Sequence, residues 1–204
     1  DATEDSAPGE YDILIKEGEA DNYTLSYSKG KLTIVDWDPI IITGKSYTRE
    51  YGESNPVFEY IVESGILDGE PEIICEATAS SPVGEYPITI KKGSIQSENA
   101  TFNAGKLIIT PAPLSVSVGN YTRKQGKANP EFTINYKGFK NNESEDVLKT
   151  KPVARTSATK SSKPGVYDIV VSGGEAENYN LSYVNGKLSV LLPYDNVLAL
   201  SDIN

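Results

Sequence analysis

The chain has 204 residues, with 19 Lys and Arg against 29 Asp and Glu, and a formal net charge of −10. This acidic balance argues against binding to nucleic acid, which needs clustered Lys and Arg, and against electrostatic binding to anionic membranes. His is absent and Cys75 is the single cysteine, which excludes an intrachain disulfide and any His-dependent nucleophile. Cys75 follows Ile73 and Ile74, so we expect a small buried hydrophobic residue and not a reactive thiol.

One sequence cassette occurs three times along the chain, and its fixed spacing indicates a repeated unit of structure. The copies run from residue 9 to 32, from 84 to 107 and from 165 to 188. Two aromatic residues stand at the same interval in every copy: Tyr11 and Tyr27, Tyr86 and Phe102, Tyr167 and Tyr183. Alternation of apolar and polar residues over 11–15 and 23–27 predicts two half-buried strands.

The Gly that closes each cassette predicts a tight hairpin. In the first copy, Lys29-Gly30 fits a two-residue loop and would place Tyr27 opposite Leu32. The same register would place Phe102 opposite Leu107 and Tyr183 opposite Leu188 in the other copies. It would also turn six tyrosines inward as core residues: Tyr11, Tyr23, Tyr27, Tyr167, Tyr179 and Tyr183.

A second cassette occurs twice. Tyr47–Phe58 matches Tyr121–Phe132, and the pattern in both is strand, Gly and Asn-Pro turn, strand. The stretch that follows differs between the copies, because only the later one has room for one or two helical turns at 144–149. A long helix is therefore not expected as part of the repeated unit.

Together the cassettes predict complete β modules at 37–111 and 112–193. We expect residues 1–36 to be the closing half of another module, cut from a longer tandem array, and 194–204 to be a tail. Prolines in the junctions, at Pro39, Pro111 and Pro113, predict stiff and extended connections.

With both cassettes placed, the chain resembles the MBG domain of the YGX type. The resemblance rests on these motifs: Tyr51-Gly52 with Asn55-Pro56, Gly138-Phe139 with Asn142-Glu143, Pro82-Val83-Gly84 with Tyr86, Asn178-Tyr179, and Asn185-Gly186-Lys187-Leu188. Two positions depart from the pattern, since Gln125 replaces Tyr before Gly126 and Glu98 replaces the usual Tyr of the second strand. The resemblance implies an extracellular, non-catalytic, mostly β module that occurs as tandem repeats in large bacterial surface and secreted proteins.

Several residues are candidates for catalysis, cation binding or sugar binding. Carboxylate pairs that could serve a glycosidase or a cation site are Asp36 with Asp38, Glu143 with Glu145 and Asp146, and Glu175 with Glu177. All fall at turns or junctions, where acids are normally solvated, so we expect no catalytic residue, no metal and no cofactor. Trp37 could stack on a sugar, but its junction position favours a packing wedge between modules.

We therefore expect an all-β protein of tandem Ig-like β-sandwich modules in a rod, with β-grasp-like modules as the alternative. The expected function is a spacer or stalk of a bacterial cell-surface adhesion protein, extracellular and not an enzyme. The alternatives are a module that binds a glycan or a host protein and an accessory module of a secreted enzyme. The expected partners are neighbouring repeat modules, with no nucleic acid and no membrane insertion of this segment.

Overall fold

A computed structural model describes residues 2–35 and 39–193, which are all β apart from one 3₁₀ turn at Glu145–Val147. The strands are β1 Gly9–Ile13, β2 Gly30–Ile34, β3 Ile40–Gly44, β4 Tyr47–Glu50, β5 Tyr60–Ser64, β6 Glu72–Ile74, β7 Gly84–Lys91, β8 Ala100–Asn103, β9 Gly105–Thr110, β10 Ala112–Val118, β11 Tyr121–Lys124, β12 Ile134–Lys137, β13 Val153–Thr156, β14 Gly165–Ser172, β15 Tyr179–Val184 and β16 Gly186–Leu191. The all-β prediction is confirmed. Asp36, Trp37, Asp38 and the expected tail 194–204 lie outside the described residues.

The strands from β3 onward form two units of the same topology. The first unit (β3–β9) has a three-stranded sheet β5-β3-β8 and a four-stranded sheet β4-β9-β7-β6, and the second unit (β10–β16) repeats this as β12-β10-β15 and β11-β16-β14-β13. Buried side chains of both sheets meet between them, as Val116 meets Ile169 and Leu188. Each unit is therefore a two-sheet sandwich. The β-grasp alternative needs a packed helix, and residues 2–35 and 39–193 contain none beyond the 3₁₀ turn.

The predicted hairpin at the end of each cassette is wrong. β15 and β16 lie in different sheets, where β15 pairs in parallel with β10, and β16 pairs with β14 and β11. β8 and β9 are separated in the same way in the first unit. The reason is that a segment from the opening half of the unit runs beside the cassette. The two segments cross together from one sheet to the other. The backbone groups at the crossing pair with this neighbour and not across a hairpin.

Glycine at the crossing permits two backbones to approach closely. A Cβ on Gly186 would lie 2.1 Å from the carbonyl oxygen of Gly119, and one on Gly105 would lie 2.3 Å from that of Lys45. The residue after each of these glycines donates its N–H to the neighbouring segment. In the second unit, Lys187 N–H donates to Asn120 Oδ1 at 2.8 Å. The glycine that suggested a turn is thus a contact residue of the crossing.

The antiparallel half of each cassette has one register in all three copies. Tyr11 pairs with Leu32, Tyr86 with Leu107 and Tyr167 with Leu188. Each of these tyrosine hydroxyls donates to the carbonyl oxygen four residues earlier: Ala7 at 2.7 Å, Pro82 at 2.9 Å and Lys163 at 2.9 Å. The repeated hydrogen bond resembles the tyrosine corner of β-sandwich domains and fixes the entry of the strand.

The expected burial of the six tyrosines holds for one of them. Tyr179 is 4% exposed, whereas Tyr23, Tyr27 and Tyr183 are 80%, 43% and 42% exposed. Tyr11 and Tyr167 are half-buried. The inward assignment followed from the hairpin register, so it fails with that register. Residues 23–28 form no strand. The equivalent stretches of the two units contain β8 and β15, which pair with β3 and β10, whereas residues 2–35 contain only β1 and β2.

Both units bury an arginine, although Arg123-Lys124 is a basic pair of the kind expected in a solvated loop. In the second unit Arg123 is 7% exposed, and its Nε donates to Asn129 Oδ1 at 2.7 Å. Its other nitrogens donate to the carbonyl oxygens of Lys124 and Thr159. Asn129 completes the bridge by donating to the Ala158 carbonyl oxygen at 2.7 Å. Arg49 and Asn55 form the same arrangement in the first unit, so the Asn-Pro motif serves to anchor a buried guanidinium.

The crossing predicts a sharp difference between two neighbouring glycines. We expect Gly186→Ala to lower the unfolding free energy by at least about 3 kcal/mol, because its methyl would overlap a backbone oxygen that cannot move independently. Gly119→Ala is the matched control, since its Cβ would meet only Tyr121 at 3.9 Å. We expect it to change stability by less than about 1 kcal/mol. Urea unfolding of both variants measures the difference, and equal losses would contradict this role of Gly186.

Candidate functional site: the joint between the two units

The acidic pairs singled out in the sequence separate into two groups. Glu145 and Asp146 face Lys151, at 2.7 and 3.9 Å, and Glu175 faces Lys149 at 3.3 Å, all as exposed ion pairs. Glu143 differs, because its carboxylate lies in the contact between the first and second units. In the described part of the chain, no group of three or more His, Cys, Asp and Glu could hold a metal ion. No helix in that part is long and apolar enough to cross a membrane.

One hydrophobic cluster continues from the first unit into the second. The first unit ends at Thr110 and the second begins at Ala112, so Pro111 alone separates the two. The buried members of the cluster are Tyr51, Ala77, Ile88, Leu107 and Ile109 of the first unit and Ala112, Leu114, Leu148 and Tyr179 of the second. Cys75 is half-buried against the same cluster. The two units therefore share a core where they meet.

Glu143 accepts hydrogen bonds from two tyrosines of different units. Tyr51 of the first unit donates its hydroxyl to Oε1 at 2.5 Å, and Tyr179 of the second unit donates to Oε2. The two rings meet edge to face, with centroids 5.6 Å apart, and are 3% and 4% exposed. Hydrogen bonds to a charged acceptor are stronger than neutral ones. We call Tyr51, Glu143 and Tyr179 the joint triad.

Local backbone geometry holds each member of the triad in place. The N–H of Tyr51 donates to the Thr110 carbonyl oxygen at 2.9 Å, which fixes the turn that follows β4. The loop that carries Glu143 bends through Asn141 and Asn142, at φ of 53° and 59°. Asn tolerates this left-handed region better than most residues. The loop N–H of Lys140 donates to the Tyr179 hydroxyl at 2.9 Å, so Tyr179 is both acceptor and donor.

Further contacts around the triad involve backbone atoms of both units. Asn178 accepts from the Val83 N–H of the first unit through its side-chain oxygen, at 3.0 Å. Its carbonyl oxygen accepts from the Ala112 N–H, also at 3.0 Å. A Cβ on Gly52 would lie 2.3 Å from Cβ of Lys140, so the units approach too closely for any side chain there. The motifs Tyr51-Gly52, Asn142-Glu143 and Asn178-Tyr179 thus form one contact.

Burial raises the pKa of both tyrosines of the triad. Loss of solvent raises the pKa of Tyr179 strongly above the ordinary tyrosine value of 10.0, and the hydrogen bond to Glu143 raises it further. The pKa of Tyr51 is raised for the same two reasons, burial first. Both hydroxyls therefore remain protonated donors throughout the neutral range. The arrangement suits a lasting contact between units.

The sequence contained a signal for this joint, in the two departures from the repeat pattern. The second unit has Gln125 where the first has Tyr51, and the first unit has Glu98 where the second has Tyr179. Each tyrosine is thus present only in the unit where the joint uses it. Single motifs did not reveal this, because the three residues are far apart in the chain.

The triad predicts measurable coupling between units. In a double-mutant cycle of Tyr51→Phe and Glu143→Gln, we expect a coupling energy of about 1–2 kcal/mol, since the pair is buried and the acceptor is charged. Urea unfolding of the full chain supplies the four free energies. The control cycle uses Tyr60→Phe and Glu70→Gln, an exposed Tyr–Glu pair 3.3 Å apart within the first unit. Its coupling should stay below about 0.5 kcal/mol, and equal couplings would contradict a special role for the joint.

The raised pKa values predict a loss of stability in alkali. Unfolded tyrosine deprotonates near 10.0 whereas Tyr179 and Tyr51 do so at higher pH. Their contribution is therefore complete below pH 10 and is lost as the pH rises from there toward the folded pKa. Urea unfolding at pH 8 and at pH values above 10 should show a steeper fall for the native chain than for Tyr51→Phe/Tyr179→Phe. Identical slopes would show that these hydroxyls titrate like solvated ones.

Comparison with known proteins finds one family in both units. The sequence model of the MBG domain (YGX type) matches residues 40–108 and 114–189, which contain all of the joint triad. None of the curated proteins matches the chain. The two matched segments cover more than half of the chain and coincide with the sandwich units. MBG domains are not a known enzyme family. The chain belongs to the MBG domain family of the YGX type, a family of repeat domains of surface proteins.

Proposed function

We propose that this chain is a non-catalytic spacer in an extracellular bacterial adhesion protein, in which consecutive MBG units are held at a fixed angle. The observation that carries the proposal is the joint triad, because Glu143 binds tyrosines of two units at once within a shared core. A spacer needs joints that resist bending, so that a distal domain stays away from the cell. The partition into modules 37–111 and 112–193 and the extended rod are part of this proposal.

The energetics favour a joint that stays closed. Burial of a tyrosine ring contributes about 2 kcal/mol, and a hydrogen bond to a charged acceptor contributes about 1.5–3 kcal/mol. If these contributions together stabilise the closed joint by about 4 kcal/mol, roughly one molecule in a thousand has an open joint. The single linking residue, Pro111, adds stiffness because its ring fixes φ. A flexible string of units would need none of these contacts.

The two alternative functions make different demands on the molecule. An accessory module of a secreted enzyme would differ from a surface spacer in its neighbouring domains and not in this joint. A module that recognises a glycan or a host protein would need a surface outside the joint, because Tyr51 and Tyr179 are buried between the units. The joint itself therefore favours the spacer.

The spacer predicts that one methyl group at the joint disturbs the angle between the units. Gly52→Ala places a Cβ against Lys140 and should loosen or shift the joint. Gly126→Ala is a matched control: the two glycines occupy the same turn at φ of +83° and +82°, but a Cβ on Gly126 meets nothing within 4 Å. Both variants carry the same backbone cost, so their difference reports the joint alone.

Residual dipolar couplings of backbone amides measure this difference. In the native chain and in Gly126→Ala, one alignment tensor should fit the couplings of both units. In Gly52→Ala the two units should need different tensors or one of reduced magnitude. Independent tensors in the native chain would mean that the units move freely, and the spacer proposal would then fail.

A further inference from the structure

At its far end, the second unit repeats the turn that carries Tyr51 in the first unit, but with different side chains. The turn Gln125-Gly126 follows β11 as Tyr51-Gly52 follows β4, and Gln125 N–H donates to the Leu191 carbonyl oxygen at 2.8 Å. Tyr51 makes the equivalent bond at 2.9 Å to Thr110. The backbone is therefore retained at this end of the unit while its side chains are replaced.

The side chains around this turn in the second unit are predominantly basic. Segments 122–130 and 157–165, which form this end, contain no Asp or Glu. Their exposed lysines are Lys124, Lys127, Lys160 and Lys163, and we call the last three the lysine patch. The two segments are adjacent, since the N–H of Gly126 donates to the carbonyl oxygen of Lys160 at 3.2 Å.

The equivalent segments of the first unit are acidic and not basic. Counterparts of the lysine patch are Glu53, Ala79 and Pro82, and the equivalent segments 48–56 and 76–84 also contain Glu50 and Glu76. This contrast is local, because the chain as a whole has a net charge of −10. A positive end on an acidic chain concentrates the electrostatic potential at one place.

A buried cation lies beneath the patch. Arg123 donates to Asn129 Oδ1 and to the carbonyl oxygens of Lys124 and Thr159, all of them uncharged acceptors. Its charge is therefore not neutralised by these partners and adds to that of the lysines above it. In the first unit Arg49 has equivalent uncharged acceptors, but the sequence after it has Glu50 and Glu53 where the second unit has Lys124 and Lys127.

We propose that the lysine patch binds an anionic polysaccharide, one with sulfate or carboxylate groups. The end lacks the apolar anchor through which the first unit docks a folded domain, because Gln125 stands in place of Tyr51. Stable protein interfaces centre on such aromatic anchors, whereas a flexible polyanion needs only spaced positive charges. Neither segment contains an aromatic residue on which a nucleic acid base could stack. The acidic remainder of the chain also repels a long, stiff duplex.

The test uses the full chain and heparin as a sulfated polysaccharide, with neutral dextran and duplex DNA for comparison. At low salt we expect saturable binding of heparin, weaker binding of DNA and none of dextran. The variant Lys127→Glu/Lys160→Glu/Lys163→Glu should weaken heparin binding by at least about ten-fold. It should also reduce the slope of log affinity against log salt by about three. Replacement of the same lysines by Gln should give a smaller loss in the same direction.

A charge-matched control separates the patch from overall charge. The variant Lys16→Glu/Lys91→Glu/Lys137→Glu changes three exposed lysines elsewhere and alters net charge equally. It should bind heparin within about two-fold of the native chain. An equal loss in both variants would overturn the patch as a site, as would absent heparin binding. Tighter binding of DNA than of heparin would assign the patch to nucleic acid. None of these outcomes bears on the joint triad, which lies at the other end of the second unit.

Discussion

Each sandwich unit depends on parallel pairing between a strand of its opening half and a strand of its closing half. In the second unit β10 lies beside β15 and β11 lies beside β16. The two segments cross from one sheet to the other side by side. This pairing joins segments more than sixty residues apart in the chain, for example Leu114 and Leu181. Neither half can then fill its hydrogen bonds alone. The crossing also decides which residues must be Gly, as at Gly186 against Gly119.

The sequence was a good guide to where strands lie and a poor guide to how they pair. Alternation over 11–15 placed β1, and the second cassette placed β4 and β11. The room for a helical turn at 144–149 is taken by the 3₁₀ turn Glu145–Val147. These features are local, so their pattern is visible in a short window. The partner of β15 is not local, since a parallel neighbour leaves no mark on the spacing of a cassette. A tight hairpin and a parallel crossing both explain Gly between two alternating runs, and long-range pairing decided between them.

The candidate site was predictable in its parts and not in its assembly. The motifs with Tyr51, Glu143 and Tyr179 are visible in the sequence, but only as signs of a repeat. Comparison of the copies held more information than the motifs themselves, because Gln125 and Glu98 mark the units that do not use those positions. The register error also hid the site, since it grouped Tyr179 with exposed residues such as Tyr183. The buried Arg123 was missed because nothing in its neighbourhood suggests burial of a charge.

The turns after β4 and after β11 share one backbone and differ in their side chains. Its backbone is fixed by the crossing and by the buried Arg–Asn bridge, so the side chain before the glycine can change without loss of the fold. With Tyr51 at that position the turn inserts an aromatic hydroxyl into the core shared with the next unit. With Gln125 there and lysines around it, the turn has a solvated and positive end. Tyr51 and Gln125 thus differ in chemistry while the scaffold beneath them is the same, so this position varies between the two units independently of their folding.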